Sequence, residues 1–367
     1  MGESNRTRAT ISRRRLLAAG AGAGAFASIG ILRYPAGAAE FSYKLANDQT
    51  PTHPMTIGAI AAAKRVLEAS GGRLEINVFP ASVLGGDPQM LAQARSGALE
   101  FLQIGNNVLG NVVPTAALWS IPFAFSTFQQ FMSSAVIYNP RVANNGQRTR
   151  ADPGPDAPGF LFGYVTNELL KIDLQTIAPF YGGAFQMQNR LGPINSPADL
   201  KGVKMRVPPG PIDVATFKAF DATPTVISLG EVYTSLQTHL VDAIEVPLPT
   251  VENFKFYELV KFCSMTNHNH LLYIMVANNG AWNRLPRILQ DMVIHEFQAA
   301  GMTASTALFD AETSLEDKLK SQGVAFNHPT NELFRKAIGD AGLYKTWRDQ
   351  YGPEVWKLLE NATGRLT

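Results

Sequence analysis

Apolar residues alternate with polar ones at Phe41, Tyr43 and Leu45, the period of a half-buried strand. The chain passes through Asn47-Asp48-Gln49-Thr50-Pro51 into a helix predicted over Pro54–Ser70, which Gly71-Gly72 stops. Leu74, Ile76 and Val78 alternate into a second strand ending at Pro80. Asp87-Pro88 supplies an N-cap and a first-turn proline for a helix over Pro88–Ser96, closed by Gly97, and a third strand follows over Leu99–Ile104. Strands separated by helices make a parallel sheet with helical cover, which binds ligands beyond the carboxyl ends of its strands. The rhythm lapses over residues 139–159, where four prolines and three glycines read as a surface insertion. It resumes with strands at Ile177–Tyr181 and Val203–Val207, a helix at Glu231–Leu240 and a strand at Ala243–Val246, a second α/β unit. From Pro286 the pattern is helical, with Leu289, Met292, Val293 and Phe297 on one face.

Composition narrows the class. The chain has 367 residues, 17% of them charged, enough for two domains, and no apolar run reaches the roughly 20 residues of a membrane span. Ser12-Arg13-Arg14-Arg15-Leu16-Leu17, an apolar stretch to Leu32 and Ala36-Gly37-Ala38 form a twin-arginine export signal over residues 1–38. Cleavage after Ala38 would remove six arginines and one glutamate, turning the formal charge from +2 to −3. A nucleic-acid partner, which wants a basic surface, is therefore not expected. The single cysteine, Cys263, excludes an internal disulfide or a cysteine cage.

No phosphate-cradling glycine loop, nucleophile elbow or H-E-x-x-H sequence is present. His268 and His270 share a strand face in principle, but no carboxylate or cysteine cluster lies beside them in sequence, so neither a metal nor a cofactor is assigned. Arg206 is more telling. Val203, Met205 and Val207 take one face of a strand and Lys204 and Arg206 the other, and Pro208-Pro209-Gly210-Pro211 ends it. A guanidinium at the carboxyl end of a parallel strand sits where such sheets hold ligands, and its fork matches a carboxylate. A structural pair with Glu245 is the competing reading.

The run Asn195-Ser196-Pro197-Ala198-Asp199-Leu200-Lys201-Gly202-Val203-Lys204-Met205-Arg206-Val207-Pro208, followed by Glu231-Val232-Tyr233-Thr234-Ser235-Leu236-Gln237 and Val241-Asp242-Ala243-Ile244-Glu245, resembles the DctP-type solute-binding proteins of TRAP transporters. Gly72–Pro80 with Leu84-Gly85, and Phe256–Lys261 with Thr266-Asn267-His268, agree, so the likeness runs in order over nearly all of residues 41–328. It implies an α/β, two-domain periplasmic binding protein of type II-like architecture, with the ligand cleft between the domains and a long helix spanning both. Domain I would comprise 39–172 plus 250–284, and domain II 173–249 plus 285–367. The implied function is that of a non-enzymatic, monomeric periplasmic receptor that binds a small organic acid and delivers it to a TRAP membrane permease. Two alternatives remain open: a twin-arginine-exported enzyme with a cofactor, and a receptor for a sensor kinase.

In the family, the arginine of the K-x-R-V-P strand pairs with the ligand carboxylate, and Arg206 occupies that position. Asn47 aligns with a ligand-contacting asparagine, although an Asx-turn would equally explain it. Asn106 and Asn107, after the third strand, are assigned to the ligand wall with the same turn-forming alternative. Glu245 is placed at the site, either meeting a ligand hydroxyl or orienting Arg206. Phe123, flanked by Trp119 and Phe125, is assigned to the cleft, with aromatic core as the competing reading. Ala184 stands where sialate binders carry a second arginine, which disfavours sialate. Val246 stands where many members have asparagine, which suggests an acid with an apolar or aromatic body.

Overall fold

The computed structural model describes residues 39–135 and 160–366; the export signal and the 139–159 insertion lie outside them. Strands β1 (Phe41–Ala46), β2 (Leu74–Phe79) and β3 (Phe101–Gly105) pair in parallel, as do β5 (Lys204–Val207), β6 (Thr223–Val226) and β7 (Ala243–Pro247). Between the two sets run β4 (Leu174–Asn189) and β8 (Phe262–Asn278), antiparallel to each other. With β9 (Ala325–Asn327) beside β8, one sheet results in the order β2-β1-β3-β8-β4-β7-β5-β6. The fold is thus two α/β lobes, one around each parallel set, joined by long strands.

The helix Pro54–Ala69 forms where its pattern placed it. The His53 ring accepts from the Met55 amide, Pro54 opens the first turn, and Met55, Ala59, Ala62 and Val66 are buried. The length of β4 and β8 was not foreseen, because polar residues interrupt their apolar runs. Those residues satisfy one another instead: Gln186 Nε2 donates to Asn267 Oδ1 at 2.6 Å, and the Asn267 amide donates back to Gln186 Oε1 at 2.9 Å. Register shifts between Tyr181 and Gly183 and between Phe185 and Met187 bend β4 as it passes from one lobe to the other. Gly183 is required there: its φ is +110°, and a Cβ would stand 2.6 Å from Pro247 Cβ.

The helix Arg287–Ser321 has 35 residues and is about 50 Å long. Its first half, through Leu289, Val293, Phe297 and Ala300, shares a core with Leu45, Met55 and Val66. Its last turns, through Leu315 and Leu319, share another with Val232, Leu236 and Phe256. A division at residue 285 would give this helix to one domain, whereas its packing serves both. A Cβ at Gly301 would lie 2.3 Å from the Pro179 carbonyl oxygen of β4. Gly301→Val is therefore expected to lower stability by about 1–3 kcal/mol despite the better helix propensity of a side chain. Equal urea midpoints for the variant and the parent would show that the helix and β4 are not in such close contact.

Candidate functional site

Arg206 is next to last in β5, and only 2% of it is exposed. Only Lys204 of this strand is exposed, and Arg206, on the same face two residues on, is buried where that face runs into the interior. Its Nε donates to the Ile227 carbonyl oxygen at 2.8 Å, and among the described residues it makes no other hydrogen bond and no ion pair. Burial lowers its pKa, but charge from Glu245, Asp87, Asp213 and Asp48 opposes this. A guanidinium titrates so high that it stays cationic.

Those four carboxyl groups are all buried, and each follows or ends a strand. Asp48 comes after β1, Asp87 opens the helix Asp87–Ser96 after β2, Asp213 is in the first turn of the helix Pro211–Ala219 after β5, and Glu245 is in β7. Burial pushes Asp87 up to about 6 and Glu245 up to about 8, with Arg206 pulling each partly back. Burial raises Asp48 well above the usual range, reinforced by Asp87, and raises Asp213 likewise, reinforced by Glu245. Glu245 Oε2 lies 2.8 Å from His268 Nε2, and His268 Nδ1 lies 2.8 Å from Thr266 Oγ1. Burial lowers His268 to about 3, so the imidazole is neutral and the Glu245 contact is a hydrogen bond rather than a salt bridge.

Arg206, Asp48, Gln49, Asp87, Asn107 and Tyr273 border a cavity of about 30 Å³, with Phe185, Val246 and Leu271 among its apolar walls. Such a space admits roughly two waters. A larger ligand enters only when the walls part. The wall is more polar than Val246 alone suggested, which removes the argument for an aromatic ligand body.

The other assigned residues are placed unequally. Asn107 borders the cavity, and its Oδ1 accepts from the Val108 amide at 2.9 Å. Asn106 ties the end of β3 to its surroundings: Oδ1 accepts from the Leu272 amide and Nδ2 donates to Ser120 Oγ. Asn47 is occupied within its turn, its Oδ1 accepting from the Gln49 amide and its Nδ2 donating to Gln103. Phe123 borders a different cleft, of about 510 Å³, with the Arg335 guanidinium 5.8 Å above its ring. Trp119 is core, its indole donating to Ser134 Oγ. His270 turns to Tyr181 and Phe131 rather than converging with His268. Among the described residues no group of three or more histidine, cysteine or acidic residues is arranged to hold a metal ion.

Asp48, Gln49, Asp87, Asp213 and Tyr273 were missed. Asp87 reads in the sequence as a helix cap, yet Asp48 and Asp87 follow the carboxyl ends of parallel strands, the feature that singles out Arg206.

Residues 45–136 and 160–343 match the family described as bacterial extracellular solute-binding protein, family 7, or DctP. The chain belongs to this family. Among the relatives of this DctP protein is a 2,3-diketo-L-gulonate-binding periplasmic protein of Escherichia coli, 29% identical over 78% of this chain and 80% of that one. A sialic acid-binding periplasmic protein of Vibrio cholerae is 29% identical over 79% and 84%. A TRAP periplasmic solute-binding protein of Roseobacter denitrificans, solved with bound β-D-glucuronate, superposes with a TM-score of 0.77 at 22% identity, over 88% of this chain and 99% of that one. The DctP protein is accordingly a solute receptor of two-domain α/β fold and not an enzyme.

Proposed function

We propose that this receptor is exported to the periplasm by the twin-arginine pathway, closes over a small organic acid through an Arg206–carboxylate pair, and delivers it to a TRAP membrane permease. The observation that carries the reading is a buried guanidinium that, among the described residues, has one backbone hydrogen bond and no ion pair, beside a cavity lined from both lobes. An unpaired buried cation is costly, and a carboxylate is the partner its fork fits. Closure then draws its free energy from contacts made only in the shut form. The names of the relatives, binders of keto, sialic and uronic acids, support an acid as the solute.

The reading is tested by thermal unfolding of the mature protein with monocarboxylates, dicarboxylates, sugar acids, 2-oxo acids and amino acids. A true ligand at about 100 times its Kd adds about 2.7 kcal/mol of stability. A raised melting point with one class of acid is expected. Stabilisation by uncharged sugars alone, with none by any acid, would sink the proposal.

A further inference from the structure

The two lobes bring opposite charges to the cavity. Arg206 comes from β5 in one lobe; Asp48, Gln49 and Asp87 come from the loops and helix beyond β1 and β2 in the other. The hydrogen bonds of the second group are polarised in one direction. Gln49 Nε2 donates to the Tyr273 hydroxyl at 2.6 Å, and that hydroxyl donates its one proton to Asp48 Oδ2 at 3.1 Å. The Tyr273 proton is thereby spent inside the wall, while Gln49 Nε2 keeps one further N–H. Left over are Gln49 Oε1 and Asp48 Oδ1, both buried without a partner, on side chains 1% and 8% exposed. The Asp87 carboxyl, 5% exposed, also has no hydrogen-bond partner among the described residues. Asp48 and Gln49 thus each leave an oxygen without a partner at the cavity wall, beside the unpartnered carboxyl of Asp87.

We propose that the solute is a compact zwitterion, a carboxylic acid bearing an ammonium or amidinium group, whose carboxylate meets Arg206 on one lobe and whose cationic group meets Asp48, Asp87 and Gln49 on the other. This rests on Arg206 being the carboxylate partner. A hydroxyl brings an acceptor with each donor, whereas an ammonium brings three donors, no acceptor and the charge that two carboxylates lack. A simple anion would meet Arg206 and leave the unpartnered oxygens of Asp48 and Gln49 without a donor. A zwitterion meets both sides, its cationic group favouring the ionised form of the Asp48 and Asp87 carboxyls. A cavity of about 30 Å³ fits a short molecule better than a long one.

The test is calorimetric titration of the mature protein with α-, β- and γ-amino acids and amidino acids, each beside the hydroxy acid of the same skeleton, and with gluconate and glucuronate. The parent, Asp87→Asn, Asp48→Asn and Arg206→Ala are compared after circular dichroism establishes that each is folded. An amino or amidino acid is expected to bind at least tenfold more tightly than its hydroxy counterpart, and either asparagine variant to erase most of that preference. Three results overturn the inference: hydroxy or sugar acids binding as tightly as their amino counterparts, no binding by any amino or amidino acid, or a preference that survives in both asparagine variants. Binding intact in Arg206→Ala would instead overturn the carboxylate pairing itself, so the two failures are told apart.

Discussion

Arg206→Ala is expected to weaken binding of the solute acid by two to four decades, with the fold retained. Breaking a buried ion pair by removing one partner costs on the order of 3–5 kcal/mol, because the remaining charge is left in a low-dielectric interior. Here that remaining charge is the ligand's carboxylate, so the loss falls on affinity. The protein itself should tolerate the change, since Asp48, Asp87, Asp213 and Glu245 already hold protons more strongly than ordinary carboxyls and can stay neutral once the guanidinium has gone. Arg206→Lys separates charge from geometry. It keeps a cation but lacks the planar fork and the Nε donor that grips the Ile227 carbonyl, so an intermediate loss is expected. Calorimetry with a ligand found by thermal unfolding measures both. A Kd for Arg206→Ala within threefold of the parent would remove this residue from the site.

Arg206 was legible because three rules agreed on it: strand alternation through Val203, Met205 and Val207, a proline stop at Pro208, and the placement of ligands beyond strand ends. Asp48 and Asp87 obey the third rule too, but Asp87 also reads as a helix cap, and a local explanation hides a site assembled from residues far apart in the chain. Asp87 is not the N-cap it was read as; Gly86 takes that place and leaves the aspartate in the first turn, facing Arg206 across the cavity. The parallel strands and their helices were legible because their pairing is regular. The full reach of β4 and β8 was not, since Gln186, Asn267 and His268 are tolerated there only through partners on neighbouring strands. Phe123 shows the reverse case: an aromatic beside a proline was taken for a cleft wall, but its amide binds the His268 carbonyl oxygen at 2.8 Å and its ring faces another cleft.

Without ligand, the protein is expected to lose stability as the pH rises from 6.5 to 8, and Glu245→Gln to lose less. Burial lifts the Glu245 carboxyl from an ordinary 4.5 to about 8, so between those values the native state keeps a proton that the unfolded chain releases. Stability from such a group is complete below the unfolded value and disappears as the pH climbs to the folded one. Asp48 and Asp213, also raised by burial, act in the same sense. Three buried histidines act in the opposite one: His53 and His268 are lowered to about 3 and His270 to about 4, so each destabilises the native state as the pH falls below 6.5. The histidines are half protonated in the unfolded chain at 6.5 and neutral in both states by about 8, so their opposing effect fades across the interval while that of the carboxyls persists. Each carboxyl then removes up to about 1.4 kcal/mol per pH unit, a few kcal/mol in all, although parting of the lobes relieves some of this by returning water to the carboxylates. Glutamine preserves the side-chain shape beside His268 and cannot ionise, so the decline should be shallower in the variant. Urea unfolding at the two pH values, with the parent and variant side by side, gives the answer. A parent that gains stability across the interval would mean that the carboxyl cluster is hydrated rather than buried as the side chains around Arg206 are placed.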